Sequence, residues 1–314
     1  MKLSIVSTMF KSELFIAEFC ERVVLAAQQL IGDDFELILV NDGSPDASLQ
    51  RALELREKIP QLKIVDLSRN FGHHTAIIAG LETARGERVL LMDCDLEEQP
   101  EWLSLFAETM QREQADVVFG VQEQRTASAT SNFFGKTFWS LLNAMSKVQI
   151  PSNPMTCRLM TRRYVDALLS VQDRVLYLAG TFAWTGFKQV AVPLTKTSRL
   201  QTQASSYDLS RKLIQVADSF ASFSAVPLTL LFIAGFFIWA GSILFALYIF
   251  VEKFLFPETI LSGFTSIMIS VWFLGGAMIL GLGTVGLYVG KIFQEAKRRP
   301  QFIVRDIYRC KNEQ

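Results

Sequence analysis

The chain has 314 residues and no net formal charge, since 31 Lys and Arg side chains balance 31 Asp and Glu side chains. Half of the residues are hydrophobic, and 18 glycines and nine prolines are too few for a disordered or collagen-like chain. The four cysteines have no CxxC or CxxH spacing, and the only two histidines are His73 and His74. A histidine-rich metal centre is therefore excluded, and reduced thiols are favoured over a disulfide framework or a zinc site.

Charge is distributed unevenly along the chain. Residues 1–124 carry 11 basic and 22 acidic side chains, whereas residues 125–212 carry 12 basic and three acidic ones. Residues 213–290 contain one lysine and three acids, and residues 291–314 contain seven basic and three acidic side chains. This segregation indicates that different parts of the chain meet different partners.

Strands and helices are predicted to alternate in the first half of the chain. The strands are Leu3–Ser7, Phe35–Asn41, Leu62–Leu67, Arg88–Met92 and Asp116–Gly120. The helices are Glu13–Ile31, Ala47–Lys58, Thr75–Ala84 and Trp102–Gln111, with a further helical stretch at Arg162–Val171. This alternation predicts an α/β domain with a parallel sheet, whose ligand would bind at the carboxyl ends of the strands.

Polar residues directly follow three of these strands. Asn41–Ser44 follows the second strand, Ser68–Gly72 the third and Asp93–Asp95 the fourth. Two carboxylates one residue apart can converge on one hard divalent cation, which takes oxygen ligands and shares them with substrate phosphates. Because DxD patterns also occur in ordinary acidic loops, the pattern alone leaves both interpretations open. The same holds for His73 and His74, which either approach the site or simply begin a helix.

Two uncharged stretches, 227–251 and 260–290, follow the α/β segment, and they are 25 and 31 residues long. A 25-residue helix extends about 37 Å, enough to cross a hydrocarbon core of about 30 Å. Arg211 and Lys212 precede the first stretch and basic residues follow the second, so the positive-inside rule places both termini in the cytoplasm. We therefore expect a two-helix transmembrane hairpin with a short cytosolic basic tail at 291–314.

A further helix is predicted at residues 207–226, just before the first uncharged stretch. Its apolar residues recur at steps of three and four between Leu209 and Phe223. Such a face would lie on the membrane surface or pack on the soluble domain, and the sequence leaves both alternatives open.

The series of motifs is more specific than any one of them. Asn41–Ser44, Arg69–Gly72, Ala79–Leu81 and Gly86–Asp95 occur in this order, followed by Gln99–Glu101. With this series the chain resembles the family 2 glycosyltransferases of the GT-A fold, in particular the polyprenyl-phosphate sugar transferases of the dolichyl-phosphate mannose synthase type. Further matching segments are Asp116–Gly120, Arg158–Met160, Gly186–Phe187, the uncharged stretches and Arg299–Val304, so the resemblance covers nearly the whole chain.

The resemblance implies a GT-A (Rossmann-like) cytosolic domain at residues 1–206 and a transfer from a nucleotide-sugar donor to a polyprenyl phosphate. The residues that it places at the nucleotide-sugar are Thr8, Glu13, Asp42, Asn70 and Asp93. The cofactor would be Mg2+ or Mn2+, and its implied ligands are Asp93, Asp95 and Glu97.

Phosphate groups of the lipid and of the diphosphate would be bound by cations. The residues at the corresponding positions are Arg125, Arg158, Lys196 and Arg199, and the implied catalytic residues are Asp93, Asp95 and Arg158. The chain departs from the family pattern at Thr156, where close relatives have an acid, and at Ser205–Tyr207, which lacks the usual lysine.

The scarcity of acids between Arg125 and Tyr207 favours a phosphate acceptor. A sugar hydroxyl needs a positioned general base, whereas a phosphate monoester already carries about −1.5 to −2 charge near neutral pH. The segment contains only two acids, Asp166 and Asp173, and both fit a solvated helix face. We expect undecaprenyl phosphate as the acceptor if the source is bacterial.

Two alternatives remain: transfer to a hydroxyl of a lipid-linked glycan, and a non-enzymatic membrane partner that keeps the fold. The expected location is the bacterial inner (cytoplasmic) membrane, without a nucleic-acid partner. The glycine-rich second stretch would permit close helix packing in a homo-oligomer.

Overall fold

The computed structural model describes residues 1–122, 154–171, 178–196, 264–297 and 299–309, together with residues 233, 235 and 237. The chain divides into two compact units. The first contains Met1–Asn143, Val148–Ser206 and Arg299–Gln314, and the second contains Ala144–Lys147 and Tyr207–Arg298. Arg125, Arg199, the predicted helix at 207–226 and nearly all of the first uncharged stretch lie outside the described residues.

A mixed sheet forms the centre of the first unit. Its strands are β1 (Leu3–Met9), β2 (Phe35–Asn41), β3 (Leu62–Leu67), β4 (Arg88–Leu91), β5 (Val117–Gln122), β6 (Pro154–Thr161), β7 (Gln189–Leu194) and β8 (Val304–Tyr308). They lie in the order β7-β5-β6-β4-β1-β2-β3-β8. β6 runs antiparallel to β4 and β5, and β8 runs antiparallel to β3, while the other pairings are parallel.

Helices cover both faces of this sheet. They are α1 (Ile16–Ile31), α2 (Ser48–Arg56), α3 (His73–Thr83), α4 (Trp102–Glu113), α5 (Arg162–Ser170) and α6 (Leu178–Trp184). In α1, Ile16, Phe19 and Val23 recur at steps of three and four and are fully buried, as expected for one apolar face. Alternate side chains of the strands point to opposite faces, so one core contains Ile5 and Phe106 and the other contains Val6 and Tyr164.

The α/β architecture of the front half is confirmed. β2 and β3 have the predicted bounds, and the remaining predicted strands and helices are present with ends shifted by one to three residues. The sheet is mixed where a parallel sheet was predicted, because β6 inserts antiparallel between β4 and β5 and β8 pairs antiparallel at the edge. No strand was predicted for β6, β7 or β8.

The second unit is described mainly by helix α7 (Phe264–Ala296), which is 33 residues long and overlaps the second uncharged stretch. Along α7, large apolar side chains are exposed at steps of three and four: Ile267, Val271, Leu274, Met278, Leu282, Val285, Val289 and Ile292. In the part of the chain that the structure describes, the helices include none that qualifies as a membrane span.

Candidate active site

The carboxyl ends of β1, β2, β3 and β4 bring the polar motifs to one edge of the sheet. The register of the parallel strands pairs Met9 with Asn41 and Asn41 with Asp66, so the following loops start side by side. This edge is where α/β sheets bind their ligands. The four loops contain most of the predicted donor and metal residues.

Asp42 holds the turn after β2 against the loop after β3. Its Oδ1 accepts a hydrogen bond from the Phe71 N–H at 2.7 Å, and its Oδ2 accepts one from the Gly72 N–H at 3.0 Å. Burial raises the pKa of Asp42, although these two hydrogen bonds and the nearby His73 and Arg69 oppose the rise. Asp42 thus lies at the predicted nucleotide site and also positions the loop that precedes α3.

Gly43 is required where these two loops meet. Its φ is +62°, and a Cβ there would lie 2.5 Å from the backbone C of Arg69 and the backbone N of Asn70. Residues with a side chain rarely adopt this φ, and the backbone of the neighbouring loop could move aside only at a cost in stability. The predicted Asn70 is exposed in this loop.

Glu13 is connected to the same turn through Asp46 and Ala47. The Glu13 N–H donates to Asp46 Oδ2 at 3.3 Å, and Glu13 Oε2 accepts from the Ala47 N–H at 3.4 Å. Asp46 also accepts hydrogen bonds from Ser48 Oγ at 2.6 Å and from Ser44 Oγ. The loops after β1 and β2 are therefore held as one surface that contains Glu13 and Asp42.

Asp93 and Asp95 follow β4 in the strand-end turn that the sequence predicts. The Asp93 side chain is 24% exposed, and its Oδ1 lies 3.5 Å from His73 Nε2. Burial raises the pKa of Asp93, the His73 charge opposes this and the neighbouring Asp95 charge adds to it. Asp95 Oδ1 accepts a hydrogen bond from the Glu97 N–H at 3.1 Å, while Leu96 between them has a left-handed φ of 61°. Such backbone strain in a non-glycine residue is typical of functional sites.

His73 connects Asp93 to the first strand. Its Nδ1 lies 3.1 Å from Thr8 Oγ1 while its Nε2 faces Asp93. His73 also begins α3, directly after Gly72, so it both starts a helix and faces the site. The predicted Thr8 is thereby placed beside the carboxylates.

Glu98 is a site residue whose role the sequence did not indicate. It is fully buried, and its Oε1 accepts hydrogen bonds from the N–H groups of Thr156 at 3.1 Å and Cys157 at 3.2 Å. Its Oε2 accepts from the Asp93 N–H at 3.4 Å. Burial raises the pKa of Glu98 to about 7, and the Asp93 charge contributes to the rise. Glu98 therefore fixes the position of Asp93 relative to β6. This role is visible only in the burial and hydrogen bonds of Glu98 in the structure.

Lys196, a predicted phosphate-binding residue, follows β7, which ends at Leu194. Its Nζ is 3.4 Å from Glu97 Oε2 and 3.8 Å from Glu98 Oε1. The structure thus brings Lys196 to the carboxylates, and its role at phosphate groups stays a prediction.

Asp93 and Asp95 offer the carboxylate oxygens that suit a divalent cation whose remaining ligands come from the substrate. Among the described residues, no group of three or more His, Cys, Asp or Glu side chains is arranged to hold a metal ion. Glu97 is paired with Lys196, so the structure does not group it with Asp93 and Asp95 as a third ligand. Mg2+ is commonly held by only one or two carboxylates together with phosphates and water, and Asp93 and Asp95 satisfy that requirement.

Arg158, predicted as catalytic and phosphate-binding, lies in the core. Arg158 is only 4% exposed. Its Nε donates a hydrogen bond to the Thr156 carbonyl at 3.1 Å, and its Nη2 donates one to the Met155 carbonyl at 2.9 Å. The guanidinium carbon lies 3.4 Å from the centre of the Phe182 ring. Burial lowers the pKa of Arg158 to about 10, while charges including those of Glu98 and Asp93 oppose the fall. Arg158 is thus within electrostatic range of the carboxylates, but its side chain contacts its own strand, Phe182 on α6 and Phe119 on β5.

Comparisons with known proteins agree with this geometry. The family model for glycosyl transferase family 2 matches residues 4–169. A protein of Mycobacterium tuberculosis (strain CDC 1551 / Oshkosh) named among the glycosyltransferases is 40% identical over 308 residues, which cover 98% of this chain and 89% of that protein. The SfII prophage-derived bactoprenol glucosyl transferase of Shigella flexneri is 29% identical over 310 residues, which cover 98% of this chain and 99% of that protein.

Among solved structures, the fold is similar to that of the mannosyltransferase PcManGT from Pyrobaculum calidifontis in complex with GDP-Man and Mn2+. The TM-score is 0.51 at 15% identity, with 94% of this chain and 85% of that chain covered. The fold is therefore of the GT-A type. The family match and the 40% identical relative show that the chain is a glycosyltransferase and belongs to glycosyl transferase family 2, which confirms the resemblance drawn from its motifs.

Proposed function

We propose that the protein transfers a sugar from a nucleotide-sugar to a polyprenyl phosphate at the bacterial cytoplasmic membrane, with Mg2+ or Mn2+ as cofactor. The observation that carries the proposal is the pair Asp93 and Asp95, which follows β4 with His73 beside Asp93 and with Lys196 paired to the neighbouring Glu97. The relative named bactoprenol glucosyl transferase, which aligns over 98% of this chain, supports the lipid acceptor.

Asp93 and Asp95 would hold the cation, which supplies Lewis-acid stabilisation of the charge that develops on a leaving diphosphate. Two residues keep the Asp93 carboxylate in place: Glu98 accepts a hydrogen bond from the Asp93 N–H, and His73 faces the Asp93 Oδ1. The ammonium of Lys196 lies close enough to add positive charge on the same side. Asp42 and Glu13 shape the donor side of the site.

The polyprenyl-phosphate acceptor is favoured over a sugar hydroxyl by the absence of a candidate base among the described residues of the basic segment. Asp166 is 62% exposed on α5 and pairs with Arg162, which confirms its prediction as a solvated residue. A phosphate oxygen is already ionised and needs cations rather than a base. The segment 125–212 contains 12 basic side chains; of those described, Lys196 lies at the carboxylates, whereas Arg158 is buried and Arg162 pairs with Asp166.

Membrane anchoring through a hairpin at 227–251 and 260–290 is part of the proposal. Its support is the length of the two uncharged stretches and the basic residues that flank them. The apolar stripe exposed along α7, including Met278 at 75% and Leu282 at 78% exposure, adds to it, because water disfavours so large an apolar surface. The orientation proposed has both termini in the cytoplasm.

The reaction can be tested with purified protein in detergent micelles. The assay supplies a panel of radiolabelled UDP- and GDP-sugars, Mn2+ and undecaprenyl phosphate, and we expect an acid-labile sugar–phospholipid from at least one donor. Asp95→Asn is expected to lose at least about 100-fold in rate, because the transition-state charge loses its cation. Mn2+ with nucleotide should also raise the melting temperature of the native protein and not that of Asp95→Asn.

Asp166→Asn serves as the matched control, because it removes the same charge from an exposed helix position. It should keep native activity. A product that forms only when a lipid-linked oligosaccharide is added would overturn the phosphate acceptor in favour of a hydroxyl acceptor. Absence of transfer to either acceptor, together with absence of nucleotide binding, would overturn the enzymatic proposal.

A further inference from the structure

The C-terminal strand β8 contacts the donor side of the site. β8 closes the sheet next to β3, and the Ser68 N–H donates to the Ile303 carbonyl at 2.9 Å just before it. We propose that Arg305 on β8 is a positioning residue for the turn Asn41–Ser44 and that it acts through Asp66. The inference rests on the proposed function, in which this turn binds the nucleotide-sugar.

Three side chains form a continuous series of contacts from β8 to the turn. Arg305 Nη1 lies 3.4 Å from Asp66 Oδ2, and Arg305 Nη2 donates to the Ser68 carbonyl at 2.7 Å. The other oxygen of Asp66 accepts a hydrogen bond from Asn41 Nδ2 at 2.7 Å. Asn41 Oδ1 in turn accepts one from the Ser44 N–H at 3.1 Å.

The orientation of the Asn41 amide is the link that matters. An amide has its donor nitrogen and its acceptor oxygen on opposite sides, so holding the nitrogen at Asp66 directs the oxygen to Ser44. That hydrogen bond closes the turn, and Asp42 within the turn then reaches Phe71 and Gly72 with both carboxylate oxygens. The nucleotide side of the site therefore depends on the position and charge of Asp66.

Arg305 is the cation that the structure provides for the second oxygen of Asp66. The Asp66 side chain is only 2% exposed whereas Arg305 is 56% exposed, so water partly screens the ion pair, and removing the guanidinium weakens the compensation of the Asp66 charge without abolishing it. The pairing of β3 with β8 also shifts register between Asp66 and Leu67, an irregularity of the kind that redirects side chains. Without the guanidinium, we expect Asp66 to draw on solvent or to shift, which releases the Asn41 amide.

The relay makes the donor turn depend on a segment from the far end of the chain. Asp66 and Arg305 are 239 positions apart and are separated in sequence by both uncharged stretches. The turn is thus fully supported only when the C-terminal segment has paired with β3.

Amide hydrogen exchange measured on the full-length protein in detergent tests the positioning role without any ligand. In Arg305→Gln, peptides that cover residues 41–48 should exchange at least about threefold faster than in the native protein. Arg309→Gln, which removes the same charge from the end of the same segment, should leave them unchanged. Unchanged exchange at 41–48 in Arg305→Gln would overturn the proposal.

Nucleotide binding tests its functional consequence, with UDP and GDP as probes in the presence of Mn2+. Arg305→Gln should raise the Kd of the bound nucleotide about threefold to tenfold, Arg305→Lys should recover part of the loss, and Arg309→Gln should match the native protein. In Asp66→Asn the further change Arg305→Gln should have little effect, because the pair acts as one unit.

The outcomes separate positioning from mere stability. A lower melting temperature of Arg305→Gln with native exchange at 41–48 and native Kd would show a structural role only and overturn the inference. If the native protein binds neither nucleotide, the proposed function is contradicted for these donors, while the exchange experiment still decides the role of Arg305.

Discussion

At the scale of single residues, the Asp93 carboxylate is placed by neighbours rather than by its own strand alone. Glu98 accepts a hydrogen bond from the Asp93 N–H. His73, at the start of α3, faces the Asp93 Oδ1 and also contacts Thr8. A carboxylate that binds a metal gains from such fixed partners, because the ligand is then oriented before the cation arrives. Glu98 is the partner that is harder to replace, because it is buried and all its described hydrogen bonds come from backbone N–H donors.

Replacing Glu98 by Gln tests this arrangement. The amide keeps one acceptor oxygen but turns an NH2 group toward N–H donors of Asp93 or of β6, so at least one buried donor loses its partner. We expect a fall of about 10- to 100-fold in transfer rate or metal affinity, the range found when partners of metal ligands are removed. Steady-state rates against Mn2+ concentration measure both quantities.

Glu108→Gln is the control for that change, because Glu108 is exposed on α4 and the substitution is the same. It should behave as the native protein does. Native rate and native Mn2+ dependence in Glu98→Gln would show that Glu98 does not position Asp93.

At the scale of elements, the sequence predicts those strands whose pattern is local. β1 to β5 are apolar runs that end at polar turns, and this pattern is visible in the residues themselves. β6 is different, because Thr156 and Arg158 interrupt its apolar residues and its place between β4 and β5 comes from tertiary pairing. β8 reads Val-Arg-Asp-Ile-Tyr with Arg305, Asp306 and Ile307 exposed, so only its pairing with β3 makes it a strand.

The residues of the site divide in the same way into those that the sequence predicts and those that only the structure reveals. Asp42, Asp93 and Asp95 follow strands that the sequence predicts, so their meeting at one edge of the sheet can be inferred from it. The role of Glu98 and the placement of Arg158 cannot, because Glu98 binds N–H groups of β6 and Arg158 lies on β6, a strand that the sequence does not predict. Burial of a charged residue in a loop or a strand centre has no local signature in the chain.

The turn between β2 and α2 offers a test at this scale. Gly43→Ala places a Cβ 2.5 Å from the backbone of Arg69 and Asn70, in addition to the strain of a positive φ. We expect a loss of about 2–4 kcal/mol in the free energy of unfolding, together with weaker nucleotide binding. Urea unfolding and a nucleotide titration measure the two effects.

Gly32→Ala is a matched control, because Gly32 has a φ of +67° but a Cβ added there would have no atom of another residue within 4 Å, apart from its chain neighbours. It should lose about 1–3 kcal/mol, because residues with a side chain rarely adopt its backbone conformation (φ 67°, ψ −144°), and it should bind nucleotide as the native protein does. An equal loss of nucleotide binding in the two variants would mean that the close approach of the two loops contributes nothing to the site.

At the scale of the whole molecule, two different forces are available to hold the chain at a membrane. The basic segment 125–212 would attract anionic lipids, at about 1 kcal/mol for each cation near the surface. The uncharged stretches 227–251 and 260–290 would instead bury apolar surface, which salt does not weaken. The proposed hairpin requires that the second force dominates.

Salt separates these forces, because the screening length falls to about 3 Å at 1 M ionic strength and removes attraction between exposed charges. We expect the protein to stay with the membrane pellet at about 1 M NaCl and to be released by detergent. A lysine at Met278, in the middle of the exposed stripe of α7, costs about 2.5–3.5 kcal/mol in a membrane-spanning helix, so Met278→Lys should reduce the pelleted fraction. Met278→Leu keeps the stripe apolar and should pellet as the native chain does. Release of the native chain by salt alone would show that charge, not a hairpin, attaches it to the membrane.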